Sequence, residues 1–202
     1  VAYDGTNYCG WQIQANGITI QEKLNRCLSK LLKEPIQTVG ASRTDAGVHA
    51  LGNVAVFDTT ARMPAEKISY ALNTYLPEDI RIQYSAEVAA VFHPRYCESE
   101  KTYEYRILNR RFPLPTQRLY TYFYDYNLDV EKMREGASFL VGRHDFASFC
   151  GANAQVKSTV REVTGIDIEK KDDVITIQVR GRGFLYNMVR IIAGTLIEIG
   201  NK

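Results

Sequence analysis

Val163-Thr-Gly-Ile-Asp-Ile-Glu169 and Val174-Ile-Thr-Ile-Gln-Val-Arg180 flank the polar tetrad Lys170-Lys-Asp-Asp173, and this stretch decides the fold class. Apolar and polar residues alternate on both sides of the tetrad, which is the period of a strand with one buried face. The tetrad reads as the turn of a hairpin, so this part of the chain is antiparallel sheet. Working outward, Thr102 to Leu108 and Leu119 to Tyr124 are aromatic-rich strand candidates. Gln37 to Ser42, Asn53 to Thr59 and Ile80 to Ala86 are shorter and rich in β-branched residues.

Helices fall between these strands. Thr19-Ile-Gln-Glu22 reads as a capping box, followed by Leu24, Leu28, Leu31 and Leu32 at helical spacing until Pro35. A second helix is expected from Pro64, as a first-turn proline, through Ile68, Leu72 and Leu76 to Pro77. A third runs from about Val130 to Leu140 with Gly142 placed as its C-terminal cap, and a fourth from Leu185 to Ile199. Strand pairs and single helices alternate, so the expected class is α+β with largely antiparallel sheet, not a doubly wound parallel sheet. No tandem repeat interrupts the pattern. The arginine-rich stretch holding Pro113 and Pro115 is the expected long loop, and a boundary near Arg95 divides the chain into halves 1–95 and 96–202.

Composition narrows the function classes. With 45% hydrophobic and 24% charged residues the chain can build a packed core, which excludes global disorder. A net charge of +2 points only weakly to a polyanionic partner, although Arg106, Arg110, Arg111 and Arg118 cluster, as do Arg180, Arg182 and Arg190. Such runs read equally well as solvated surface. Four cysteines without a CxxC pair and three histidines without ligand spacing argue against a disulfide framework or a metal site, and fit a reducing cytoplasm. No basic-then-apolar signal segment opens the chain. The apolar run Phe184 to Ile199 is broken by Asn187, Arg190 and Glu198, as in a buried helix and not a membrane span.

The stretch richest in chemistry is Gly40-Ala-Ser-Arg-Thr-Asp-Ala-Gly-Val-His-Ala50. It follows an apolar strand candidate, which places Arg43 to Asp45 at a strand end or in the loop beyond, where a rigid scaffold holds a free tip. In extended backbone Arg43 and Asp45 point to one side and Thr44 to the other. A neighbouring guanidinium favours the charged carboxylate, and an anionic aspartate can attack carbon or stabilise positive charge. Gly47 permits a sharp turn immediately afterwards. On spacing alone a plainer reading is the commoner one: a surface ion pair beside a turn, worth about 0–1 kcal/mol.

The neighbouring motifs change that balance. Ser42-Arg-Thr-Asp-Ala-Gly-Val-His-Ala50 resembles the catalytic signature of the TruA-type tRNA pseudouridine synthases. Tyr3-Asp-Gly-Thr-Asn-Tyr-Cys-Gly-Trp-Gln12 is similar to that family's opening motif, Phe92-His-Pro-Arg-Tyr96 to its central one, and Lys101-Thr-Tyr-Glu-Tyr-Arg106 to its tyrosine-bearing strand. His144-Asp-Phe-Ala-Ser-Phe149 and Gly181-Arg-Gly-Phe-Leu-Tyr-Asn-Met-Val-Arg190 also match, so the blocks follow the family's order over nearly the whole chain. Pro94 stands where the family carries alanine. Relative to the family, Val1 falls inside the first strand, and Lys202 comes just after the last helix, before a final core strand.

The resemblance implies the pseudouridine synthase fold: two ferredoxin-like halves with mainly antiparallel sheets joined side by side, and a cleft between them. It implies a cytoplasmic homodimer that isomerises uridines on the 3′ side of the tRNA anticodon stem-loop, with no cofactor, metal or membrane. Asp45 is then the nucleophile, and Arg43 keeps it ionised and contacts the flipped nucleotide, whose extrusion costs a few kcal/mol of unstacking. Tyr103 stacks on the extruded base; it shares a strand face with Tyr105, which stays with the core, while Thr102, Glu104 and Arg106 face the other way. Arg190, set in an apolar helix, should have a partner, because an unpaired buried charge is expensive. The resemblance turns it towards the carboxylate, a structural ion pair being the plainer reading. His49 is read as loop-stabilising, His93 and His144 as structural, and Trp11 and Gln12 as packing residues.

Two other classes stay in view. A non-catalytic RNA-binding module of the same fold would keep the scaffold without turnover. An aspartate-dependent nucleoside hydrolase would release free uracil.

Overall fold

The computed structural model describes residues 1–152 and 156–202. The chain falls into two compact units, Val1–Cys97 and Glu98–Lys202, each around its own apolar core.

In the first unit the elements run β1 (Ala2–Tyr3), α1 (Ile20–Leu32), β2 (Val39–Gly40), β3 (Ala55–Val56), α2 (Ala65–Leu72) and β4 (Ile80–Arg81). The capping residue of α1 is Thr19, whose hydroxyl accepts from the Glu22 N–H at 3.3 Å. Ile20, Leu24, Leu28 and Leu32 form the buried stripe of α1 and pack around Trp11, which is fully buried. The ladders are antiparallel and much shorter than the β-branched runs suggest: β1 pairs with β4 and β2 with β3, two residues each. Side chains pair backbone groups beside these ladders. Asn25 Oδ1 accepts from Thr38 N (2.9 Å) and Thr38 Oγ1 (2.8 Å), and Gln21 Nε2 donates to Thr38 O at 2.6 Å. Two buried amides on α1 thus splint the entry of β2 without extending its ladder. Pro64 stands one position ahead of α2 with extended ψ, and the helix ends at Leu72, leaving Leu76 on a following turn.

In the second unit come β5 (Lys101–Asn109), β6 (Tyr122–Tyr124), α3 (Val130–Ser138), β7 (Gly142–Asp145), β8 (Val160–Lys171), β9 (Val174–Gly181) and α4 (Met188–Gly200). One five-stranded sheet has the order β6-β5-β9-β8-β7, antiparallel except for the β5–β6 pair. The hairpin sits where the alternation places it, but its turn is tighter: Lys171 pairs with Val174, so only Asp172 and Asp173 form the tip. Asp172 has φ +52°, a left-handed conformation that aspartate tolerates. Burial alternates residue by residue along β9, fixing its register, because a one-residue slip would expose Ile175, Ile177 and Val179. The α+β class with antiparallel sheet is what the sequence pattern anticipates.

Two helix boundaries of this second unit also differ from expectation. Gly142 does not cap α3; with φ +113° it opens β7, a strand absent from the sequence reading. The helix stops at Ser138 with Phe139 as its cap, since Phe139 is exposed and continues no apolar stripe. The fourth helix begins at Met188, three residues late, after Asn187 in a left-handed turn. The start of α3 is set by Asp129, whose carboxylate accepts from Glu131 N (3.0 Å) and Lys132 N (3.2 Å). Asp129→Ala should therefore lower stability by about 1 kcal/mol, read as a lower urea midpoint at unchanged slope.

Candidate active site

The first unit presents the Arg43-Thr44-Asp45 triplet on an arm that leaves β2 and is held at alternate residues. Ala41 N still donates to Val54 O (2.8 Å), the last backbone bond with the partner strand. At Ser42 the buried Asn53 side chain pairs the backbone: Oδ1 accepts from Ser42 N at 3.2 Å, and Nδ2 donates to Ser42 O at 3.1 Å. Thr44 is buried, its carbonyl accepting from Trp11 N (3.0 Å) and its hydroxyl bonding the Tyr3 hydroxyl (2.8 Å). Arg95 Nε donates to Gly40 O at 2.9 Å, tying the Phe92–Tyr96 motif to the root of the same arm. The alternation is the expected one: Thr44 is buried, Arg43 exposed and Asp45 half-buried.

Beyond Asp45 the chain turns sharply. Val48 N donates to Asp45 O (3.2 Å), and Gly47 at φ +75° supplies the left-handed third position of that turn. Gly10, at φ +88°, lets the Trp11 segment reach the arm; a Cβ there would lie 2.5 Å from Thr44 O. His49 serves the loop, its Nδ1 lying 3.1 Å from Gly5 N and 3.0 Å from an Asp4 carboxylate oxygen. The amide can donate only to a bare Nδ1, whereas the carboxylate accepts only from a protonated one, so the two contacts call for different placements of the ring proton.

The second unit carries Tyr103 and Arg190. Burial along β5 alternates as expected, with Tyr103 and Tyr105 on the half-buried face and Thr102, Glu104 and Arg106 exposed. Tyr103 meets Phe184 edge-on, ring centroids 5.0 Å apart. Burial pushes the Tyr105 phenol up, while the Arg190 guanidinium pulls it partly back. Arg190 itself is exposed, which removes the argument from a buried charge. It lies in the first turn of α4, about 200° round from buried Met188 and seven residues before Ile197, at the edge of the stripe that Ile192, Ala193, Leu196 and Ile197 continue.

The other singled-out residues have structural contacts. Trp11 is packed in the first core, and Gln12 Nε2 donates to Gln21 Oε1 at 3.0 Å. His93 Nδ1 accepts from Arg95 N (3.2 Å), and His144 Nε2 lies 2.9 Å from Val141 O. The sequence reading missed Asn53, Tyr3 and Gly10 as holders of the arm. The Asn53–Ser42 pairing spans 11 residues and had a local sign, a polar residue opening a strand candidate, whereas the other contacts join residues 34 to 50 apart. Among the described residues no three His, Cys, Asp or Glu side chains gather as a possible metal set, and no helix is long and apolar enough to cross a membrane.

An α+β chain that holds an arginine and an aspartate on one side of a braced loop defines a protein with an acidic candidate site. Its relatives give that class a family. Residues 1–97 and 137–202 match the family model described as tRNA pseudouridine synthase. The chain is 49% identical over 200 residues to the tRNA pseudouridine synthase A of Thermoanaerobacter sp. (strain X514), covering 99% of this chain and 82% of that relative. It is 50% identical over 202 residues to the tRNA pseudouridine synthase A 2 of Clostridium tetani (strain Massachusetts / E88), at the same coverage. To the tRNA pseudouridine synthase A of Bacillus pumilus (strain SAFR-032) it is 44% identical over 203 residues, covering 82% of that protein. The chain belongs to the tRNA pseudouridine synthase family, a family of isomerases.

The close approach at Gly10 gives a direct check on the arm. Gly10→Ala forces both a left-handed alanine and a clash with Thr44 O, and should lower stability by about 1–3 kcal/mol in urea unfolding. A loss below about 0.5 kcal/mol would mean that the arm yields freely at Thr44.

Proposed function

We propose that this chain isomerises uridine to pseudouridine in tRNA with the Asp45 carboxylate as nucleophile. The observation that carries the reading is the placement of Asp45: half-buried, one residue past the anchored Thr44, inside the string Ser42–Ala50. An ionised carboxylate held there can attack the ribose anomeric carbon or the pyrimidine ring. The N-glycosidic bond breaks, the base turns, and a bond to C5 replaces the bond to N1. The C5 proton leaves to solvent and N1 gains one, so atoms balance and no electrons are transferred. The reaction calls on no cofactor or metal.

Arg43, exposed beside Asp45, contacts the phosphodiester backbone of the flipped nucleotide and favours the ionised carboxylate. Tyr103 stacks on the extruded base, an aromatic with a half-buried ring already braced by Phe184. Arg190, exposed on the first turn of α4, supplies a further positive contact to the substrate. Each unit is read as a ferredoxin-like half, residues 1–95 and 96–202, of a cytoplasmic homodimer. Its substrates are uridines on the 3′ side of the anticodon stem-loop.

The test is incubation with unmodified tRNA tritiated at uridine C5, following tritium release. Release from the parent chain, and none from Asp45→Asn with tRNA affinity kept within a few-fold, supports the reading. Substantial release from Asp45→Asn removes Asp45 as nucleophile; tRNA binding without release from the parent favours an RNA-binding module, and free uracil a hydrolase. Tyr103→Ala should lower kcat/KM by roughly ten- to a hundredfold, equivalent to the about 1–3 kcal/mol of one stacked base. Tyr103→Phe keeps the ring and should be far milder; equal losses would contradict stacking.

A further inference from the structure

We infer that Asn53 is a positioning residue for the reaction, acting through the Ser42 backbone and the Tyr3 hydroxyl to set where the Asp45 carboxylate stands. The inference rests on the reading of Asp45 as nucleophile and adds the device that places it.

Asn53 is 7% exposed and lies two residues before β3, opposite the point where β2 ends. Its carboxamide pairs both backbone groups of Ser42, accepting from the N–H at 3.2 Å and donating to the carbonyl at 3.1 Å. The consequence is geometric. With both groups satisfied by a side chain, Ser42 needs no strand partner, and the arm can diverge from β3. Ser42 therefore leaves the sheet with both polar groups paired, although the ladder has stopped at Gly40.

A second branch leaves the same amide. Nδ2 also donates to the Tyr3 hydroxyl (3.5 Å), which bonds Thr44 Oγ1 at 2.8 Å. With the Asn53 N–H given to the phenol oxygen, the phenol's own proton is available for the Thr44 hydroxyl, and the chain of donors runs one way. Burial raises the Tyr3 phenol above its ordinary range, so it keeps that proton at neutral pH. One amide thus fixes the residues on both sides of Arg43, and Thr44 precedes Asp45 directly. A displacement of about 1 Å at a reacting group can lower turnover about a hundredfold, which makes this anchoring a kinetic matter and not only one of stability.

The experiment compares Asn53→Ala, Tyr3→Phe and the double variant by tritium release. Turnover is referred to tRNA-binding stoichiometry, so that an unfolded fraction does not count. For Asn53→Ala, kcat should fall about ten- to a hundredfold while KM for tRNA stays within about threefold. The double variant should lose little more than the worse single one, because both act through Thr44. A crystal structure of Asn53→Ala should show the Ser42–Asp45 backbone displaced by roughly 1 Å. Unchanged kcat per binding site, fully multiplicative losses, or an undisplaced arm would each overturn the assignment. If instead Asp45→Asn retains activity, the nucleophile reading fails on its own, and the position of the arm in the Asn53→Ala crystal still decides whether Asn53 sets it.

Discussion

The anchoring of Thr44 is the constraint on which the candidate site depends. Fixing one residue's backbone costs about 1–2 kcal/mol of conformational entropy, and a single buried hydrogen bond returns a net of about 0.5–1.5 kcal/mol. One bond therefore does not immobilise a loop residue reliably. Thr44 has two, to Trp11 N and to the Tyr3 hydroxyl, and Ser42 has two from one amide. The buried bulk of Trp11 gives the first of these a rigid foundation, since its indole ring is seated in the core cluster with Ile20 and Leu24. Asp45 can stay partly open to solvent because its neighbours carry the ordering.

The two units reach stability by different means. The second depends on long ladders: β8 and β9 pair over most of their length, and apolar residues on alternate positions lock that register. The first has only two-residue ladders and uses buried side-chain amides as substitutes, Gln21 and Asn25 at Thr38 and Asn53 at Ser42. A ladder bond is insensitive to side-chain identity, whereas an amide splint is lost with one substitution and leaves backbone groups unpaired. Sensitivity to mutation should therefore be concentrated at a few polar positions in the first unit and spread over apolar positions in the second.

This difference also explains what could be read from the sequence. Periodic signals are local, so the hairpin, the capped α1, the faces of β5 and the alternation through Arg43, Thr44 and Asp45 were all legible. The short ladders of the first unit were overcalled because β-branched residues report a preference for extended backbone, not the presence of a backbone partner. Asn53, Tyr3 and Gly10 escaped notice because their roles lie in contacts from 11 to 50 residues away, and an isolated asparagine or glycine has no period. At Arg190 the sequence shows an apolar helix but not the exposure of the position, which stands at the edge of the buried stripe from Met188 to Gly200.

The nine-residue string itself divides along the same line. Ser42 and Thr44 are anchored, Gly47 makes the turn, His49 contacts the opening segment, and Ala50 exchanges backbone bonds with Tyr3. Most of the resemblance is therefore a resemblance of scaffold, and it would survive in a protein that had lost its chemistry. Arg43 and Asp45, on either side of buried Thr44, are the more open positions of the arm. Asp45, half-buried and next to anchored Thr44, is therefore the residue on which the proposed isomerase and an inert module of the same fold would differ.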